Sequence, residues 1–244
     1  MFGRNETLPR DHAHPVGLLK VQGEPFYTIQ GEGPLAGMPA LFIRLWGCHL
    51  HCYFCDTDFE SDKRETKVED ILRLTRNHVA PLIVLTGGEP MRQNITELCM
   101  GLLEQGKIVQ VETAGSFWID GQSNRGWKHV VANHRFKIVC SPKTPAINST
   151  LSNFVDAYKY IISIDTIIDH DGLPIMNTQE SGGRAHKLAR PPAGFPREDV
   201  YLQPMDEHAD DPMVNAANAQ LCRDLAMKHG YRVSTQLHKL WRMP

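Results

Sequence analysis

Pro81-Leu82-Ile83-Val84-Leu85-Thr86-Gly87-Gly88-Glu89-Pro90 opens on an unbroken apolar run and closes on two glycines, an acid and a proline. A strand with one wet face alternates apolar and polar residues; an unbroken run is what a strand buried on both faces shows. The glycines allow a tight turn, and Pro90 has the fixed φ that suits the first turn of a helix. Ile95, Leu98, Cys99, Leu102 and Leu103 then recur at helical spacing up to Gly106, a helix stop. Strand, turn and helix in this order make one unit of a parallel sheet.

The same unit repeats outward. Residues 38–46 read as a strand that runs directly into a cysteine-rich loop. Further strands are expected at 107–112, 136–140, 157–162, 199–203 and 231–236. A closing helix over roughly 213–229 places Ala217, Leu221, Leu225 and Ala226 on one side and stops at Gly230. The fold class is therefore α/β, with about six parallel strands joined by right-handed crossovers and curled into a partial (β/α) barrel. Ligand sites in such sheets gather at the carboxyl ends of the strands. Residues 1–24 read as an N-terminal extension, a tail or an edge element, ahead of a single domain over 25–244. Residues 172–197, with Gly172, Pro174, Gly182, Gly183, Pro191, Pro192, Gly194 and Pro196, read as an irregular surface insertion.

A chain of 244 residues suits one α/β domain, and 41% hydrophobic with 22% charged residues suits a globular protein with a real core. The formal charge of −2 excludes bulk attraction to nucleic acid or to an anionic membrane. Residues 1–14 lack a signal-type apolar run, and no later run approaches spanning length, so a cytoplasmic protein is expected. Three of the six cysteines fall between positions 48 and 55, while Cys99, Cys140 and Cys222 stand alone. That clustering points to metal or redox chemistry rather than to a disulfide framework.

The loop reads Gly47-Cys48-His49-Leu50-His51-Cys52-Tyr53-Phe54-Cys55-Asp56-Thr57. Three thiolates from one short loop can hold three irons of a [4Fe–4S] cubane and leave the fourth open to a small molecule. The alternative is zinc, with Cys52 and Cys55 at knuckle spacing and His49 and His51 nearby, although a second knuckle is missing. The spacing, with aromatic Phe54 before the third cysteine, resembles the radical S-adenosylmethionine superfamily. The resemblance implies that the open iron chelates the methionine moiety and that electron transfer releases a 5′-deoxyadenosyl radical. It also assigns Gly88 and Glu89, otherwise a plain strand-to-helix turn, to the amino group of S-adenosylmethionine. Glu112, at the end of the next strand, is assigned to the ribose hydroxyls or else to an ordinary turn. Ser141-Pro142-Lys143 and Gln203-Pro204-Met205-Asp206 complete the cofactor contacts it implies.

Within that superfamily the chain resembles the 7-carboxy-7-deazaguanine synthase family. The resemblance rests on Phe26-Tyr27-Thr28-Ile29-Gln30-Gly31-Glu32-Gly33, on Leu41 to Cys48, on Cys55-Asp56-Thr57 and on the proline-terminated tail His238 to Pro244. It implies radical ring contraction of 6-carboxy-5,6,7,8-tetrahydropterin with loss of ammonia, in queuosine-type 7-deazapurine biosynthesis. It also implies a homodimer and an electron donor such as flavodoxin or ferredoxin. Ile29, Gln30, Gly31, Glu32, Arg44, Thr86 and the Pro244 carboxylate are the substrate residues it implies, and Thr57 is a ligand to Mg²⁺. Each has a plainer alternative. Arg44 can fork a carboxylate or sit in a buried salt bridge; Gly31 and Gly33 can mark a turn; Thr57 can cap a helix starting near Phe59. An activase acting on a partner protein and a non-enzymatic zinc module are the competing classes.

Overall fold

The apolar run of residues 82–85 sits in the middle of one sheet, with none of its four side chains exposed. The structure, a computed structural model, describes residues 6–11, 15–55, 57, 61–119, 125–176, 178, 187–206 and 211–243. In chain order its strands are β1 (Leu18–Gln22), β2 (Phe26–Ile29), β3 (Pro39–Leu45), β4 (Lys63–Lys67) and β5 (Leu82–Gly87). They continue with β6 (Ile108–Thr113), β7 (Phe136–Cys140), β8 (Ala157–Ile162), β9 (Val200–Pro204) and β10 (Arg232–Val233). The helices are α1 (Val68–Arg76), α2 (Thr96–Glu104), α3 (Arg125–Val131), α4 (Pro212–His229) and α5 (Leu237–Leu240).

Among the described residues the sheet order is β10-β9-β8-β7-β6-β5-β3-β1-β4, with β2 paired to β3 off this path. Neighbours from β3 through β10 run parallel, and β1, β2 and β4 add antiparallel pairs at the β3 end. This is the expected open α/β sheet of a partial barrel. Two expected strands, 136–140 and 157–162, keep their bounds as β7 and β8. The last is shorter than 231–236, because the chain turns away toward the neighbouring strand ends. Ser234 Oγ accepts from Gly33 N (3.0 Å), and Gln236 Nε2 donates to Glu32 Oε1 (3.1 Å).

Residues 18–22 lie inside the sheet rather than in a tail: β1 sits between β3 and β4, with Leu19 and Val21 in the core. On α4, Asp211 caps the first turn through Met213 N and Val214 N, each 3.1 Å away. Gly230, in the left-handed region at φ 78°, ends the helix. The buried seam of α4 is Asn218, Cys222 and Ala226, and Leu221 and Leu225 flank it. Asn218 accepts from Ile164 N (2.8 Å) and donates to Met205 O (3.0 Å), which ties together the loops after β8 and β9. The described flanks of the 172–197 insertion are packed: Leu173 and Leu188 are core residues, and Tyr160 OH donates to Ala189 O (2.7 Å). Residues 177 and 179–186 of that insertion lie outside the described residues. Among the described residues no helix is long and apolar enough to cross a membrane.

Candidate active site

The carboxyl ends of the parallel strands surround one cavity of about 330 Å³. One end of it is the cysteine loop. Cys48, Cys52 and Cys55 all line the cavity, beside Leu50, Phe54 and Ala114, which form an apolar wall. The loop is held from behind by backbone. Glu89 N donates to Gly47 O (3.0 Å), and Gly88 N donates to Leu45 O (3.0 Å). A Cβ on Gly88 would stand 2.1 Å from Gly47 O, so only glycine lets the two loops meet. Leu8 N donates to Cys48 O (2.7 Å) from the outer side.

None of the six cysteines is joined in a disulfide. Burial, reinforced by Glu89, pushes the Cys48 thiol up to about 12. Such a thiol yields its proton to a bound cation rather than to water. Among the described residues no three His, Cys, Asp or Glu side chains converge on a single ion. A cubane does not ask for convergence, since it takes one thiolate per iron. Three thiols lining one cavity beside an apolar wall therefore fit a [4Fe–4S] group, which they would hold through one thiolate on each of three irons.

The opposite end is polar. Glu32 pairs closely with Lys159 and accepts from Gln203 Nε2 (3.0 Å) and Gln236 Nε2 (3.1 Å). Burial favours its protonated form, but the Lys159 charge and the hydrogen bonds from Lys159 and Gln236 outweigh it and bring the pKa down to about 2. Lys159 also lies 3.7 Å from Glu112, which accepts from Gln30 Nε2 (3.1 Å). Arg44 stacks 4.7 Å over the Phe26 ring, which stacks in turn on Phe42 at 5.1 Å. Among the described residues Arg44 forms no ion pair, so its forked donors are available to a ligand and the buried salt bridge is not formed.

Most residues expected at the site line this cavity. From the substrate set these are Ile29, Gln30, Glu32, Arg44 and Thr86, with Thr57 beside the cysteines. From the cofactor set they are Gly88, Glu112, Ser141, Lys143 and residues Gln203, Pro204, Met205 and Asp206. Glu89 is turned away from it. Its carboxylate accepts from Met91 N (3.0 Å), Thr113 Oγ1 (2.7 Å) and Ala114 N (2.8 Å), which ties the turn to the end of β6. The part of the motif that faces the cavity is thus Gly87-Gly88 rather than the Glu89 carboxylate. Gly31 backs the cavity and accepts from Leu237 N (3.2 Å). Pro142 lines a smaller adjoining cavity of about 160 Å³. Pro244, Asp56 and Phe59 lie outside the described residues.

Sequence reasoning missed Lys159, Phe26, Thr28 and Gln236. Thr28 is buried against the cavity, and its hydroxyl has no hydrogen-bond partner among the described residues. For Lys159 a signal existed: a lone lysine in the middle of Ala157-Tyr158-Lys159-Tyr160-Ile161-Ile162, a strand otherwise without charge.

An α/β partial barrel with a C-x3-C-x2-C loop against a Gly-Gly-Glu turn, both at its carboxyl edge, defines a radical S-adenosylmethionine enzyme. No family model matches the chain. The 7-carboxy-7-deazaguanine synthase of Rhodospirillum rubrum is 39% identical over 255 aligned residues, covering 100% of both chains. That of Rickettsia prowazekii is 37% identical over 227 residues, covering 88% of this chain and 84% of its own. The crystal structure of QueE from Escherichia coli shares the fold, with a TM-score of 0.61 at 20% identity over 90% of this chain and 94% of that one. The chain belongs to the 7-carboxy-7-deazaguanine synthase family.

Proposed function

We propose that this protein converts 6-carboxy-5,6,7,8-tetrahydropterin to 7-carboxy-7-deazaguanine by radical ring contraction with loss of ammonia, as a step of 7-deazapurine biosynthesis. The observation that carries the reading is the single cavity that joins a three-thiol wall to an anion- and amide-recognising end, in a chain related to named synthases over its full length. Bound together, the cluster and S-adenosylmethionine supply a carbon-centred radical that takes one hydrogen from the substrate.

The chain's own residues do the rest. Arg44, preset by its stack on Phe26, forks the substrate carboxylate. Glu32 and Gln30 meet the donors and acceptors of a pterin edge, and Lys159 keeps Glu32 ionised for that purpose. Gly88, Ser141, Lys143 and the Gln203–Asp206 turn cradle S-adenosylmethionine, with Glu112 toward its ribose. Thr57 offers a neutral oxygen to Mg²⁺, a hard cation that keeps few protein ligands. By family resemblance Pro244 completes the substrate set. Leu50, Phe54 and Ala114 keep water from the reacting centre. The enzyme works in the cytoplasm as a homodimer, and a flavodoxin or ferredoxin supplies its electrons.

The test is anaerobic incubation of reconstituted protein with reductant, S-adenosylmethionine, Mg²⁺ and carboxytetrahydropterin. The expected result is 7-carboxy-7-deazaguanine with one ammonia per turnover. Release of 5′-deoxyadenosine without any deazapurine would refute the substrate assignment and leave the radical class standing.

A further inference from the structure

Residues 6–11 lie along the back of the cysteine loop, on the side away from the cavity. Leu8 N donates to Cys48 O (2.7 Å), and Asp11 N donates to Arg92 O (2.8 Å). Thr7 pairs with Cys48, and Asp11 pairs with Gln93, as parallel bridges. The segment is thus stitched at one end to the first cysteine and at the other to the turn after the Gly-Gly-Glu motif.

Between them lies Arg92, with 3% of its surface exposed. Its Nη1 donates to Pro9 O (2.6 Å) and its Nη2 to Trp46 O (3.4 Å). Its guanidinium stands 3.8 Å from Asp11 and 5.8 Å from the centre of the Trp46 ring. The group is pressed so closely on the loop that a Cβ on Gly47 would stand 2.8 Å from Nη2. Asp11 is shared with Lys20, at 2.7 Å. Two cations therefore face one carboxylate behind the peptide that precedes Cys48. Of these three groups Arg92 is the most deeply buried, away from solvent and from screening ions.

Reduction adds one negative charge to an iron–sulfur cluster. A buried cation close to its thiolates stabilises the reduced form, and a carboxylate beside that cation works against it. We propose that residues 6–11 clamp the Arg92 cation behind Cys48 to raise the reduction potential of the cluster, with Asp11 trimming the effect. Arg92 is on this account a positioning and tuning residue that touches neither substrate nor S-adenosylmethionine. The inference rests on the reading that Cys48, Cys52 and Cys55 hold a [4Fe–4S] cluster.

The test is a reductive titration of the anaerobically reconstituted protein, followed by electron paramagnetic resonance, for the parent and three variants. Arg92→Gln is expected to move the midpoint to more negative potential, and Asp11→Asn to more positive potential. Arg92→Lys, which keeps the charge, is expected to stay near the parent. Loosening of the loop would move the first two variants the same way, so shifts of one sign, or no shifts, overturn the proposal. If Arg92→Gln does not fold, Asp11→Asn is read against Arg92→Lys: a positive shift in the first with none in the second supports the proposal, and any other pattern overturns it. Failure of the parent to assemble a [4Fe–4S] spectrum is a different result: it removes the cluster reading, and this inference with it.

Discussion

Glu32 is placed where burial works against its charge, and Lys159 with two glutamines holds that charge in place. Its pKa of about 2 lies below the ordinary 4.5, so the stability it contributes is fully present above about pH 4.5 and is lost as pH falls through about 2. Lys159→Met removes the cation and leaves the burial. The Glu32 pKa then rises, and the acid limb of the kcat/KM profile moves to higher pH. An unpaired buried carboxylate also costs about 3–5 kcal/mol of stability, readable in a denaturant midpoint. Adding Glu32→Gln to Lys159→Met should abolish the displaced acid limb; a limb that persists would assign it to another group. Single residues explain which parts of the site the sequence disclosed. The cysteines announce themselves through their spacing, while Arg44 and the Gln30-to-Glu32 stretch are legible only through family resemblance. Lys159 shows itself only as a lone charge in an apolar strand; its meaning, a distance of 3.7 Å to Glu112 across two strands, is encoded in no local pattern. Glu89 misleads for the converse reason: its motif is legible, while the direction of its carboxylate is set by Thr113 and Ala114 on another strand.

At the scale of elements, strands buried on both faces are the most legible features, since their apolar runs leave no second reading. β1, β4, α1 and α3 carry mixed sequences, and their place follows from partners elsewhere in the sheet and helix layer. The Lys63–Lys67 strand, for instance, has an all-polar sequence and exists by pairing with β1. The turn after β5 shows what such a pattern conceals. Its glycines suit a tight turn, yet the demand on Gly88 comes from the cysteine loop: a Cβ there would lie 2.1 Å from Gly47 O and 2.9 Å from Cys48 N. Backbone cannot step aside as a long side chain can. Gly88→Ala should therefore push the two loops apart, at a cost of about 1–3 kcal/mol for overpacking. The change should appear as a lower iron content per chain after reconstitution, before any S-adenosylmethionine is added. Full iron loading with only weakened S-adenosylmethionine binding would confine Gly88 to ligand contact.

For the molecule as a whole, core and site are separable, and the C-terminal segment shows where. α5 buries none of its residues, and Leu240 and Trp241 are 70% and 59% exposed. Stabilisation by apolar burial scales with area removed from water, so this segment adds little to the fold. Its polar groups are nevertheless aimed at the cavity. Gln236 Nε2 donates to Glu32 (3.1 Å), Lys239 pairs with Asp206, and His238 and Lys239 are among the lining residues. Leu237 N is seated on Gly31 O (3.2 Å), a close approach that a side chain at Gly31 would block, since a Cβ there would stand 2.3 Å from His238 Nδ1. The segment closes the polar end while the sheet, sealed by α4, stands without it. Removing residues 237–244 should leave the thermal midpoint within a few degrees of the parent, because a loss under about 1 kcal/mol shifts it little in a domain of this size. His238 and Lys239 go with it, and loss of even one charged hydrogen bond from them to the substrate, at about 1.5–3 kcal/mol, should raise the pterin KM by about tenfold or more. Iron content and cluster absorbance should stay unchanged, since the cysteine wall lies at the other end of the cavity. A parallel collapse of the midpoint and the cluster would instead make the segment part of the fold, and the separation of core from site would fail with it.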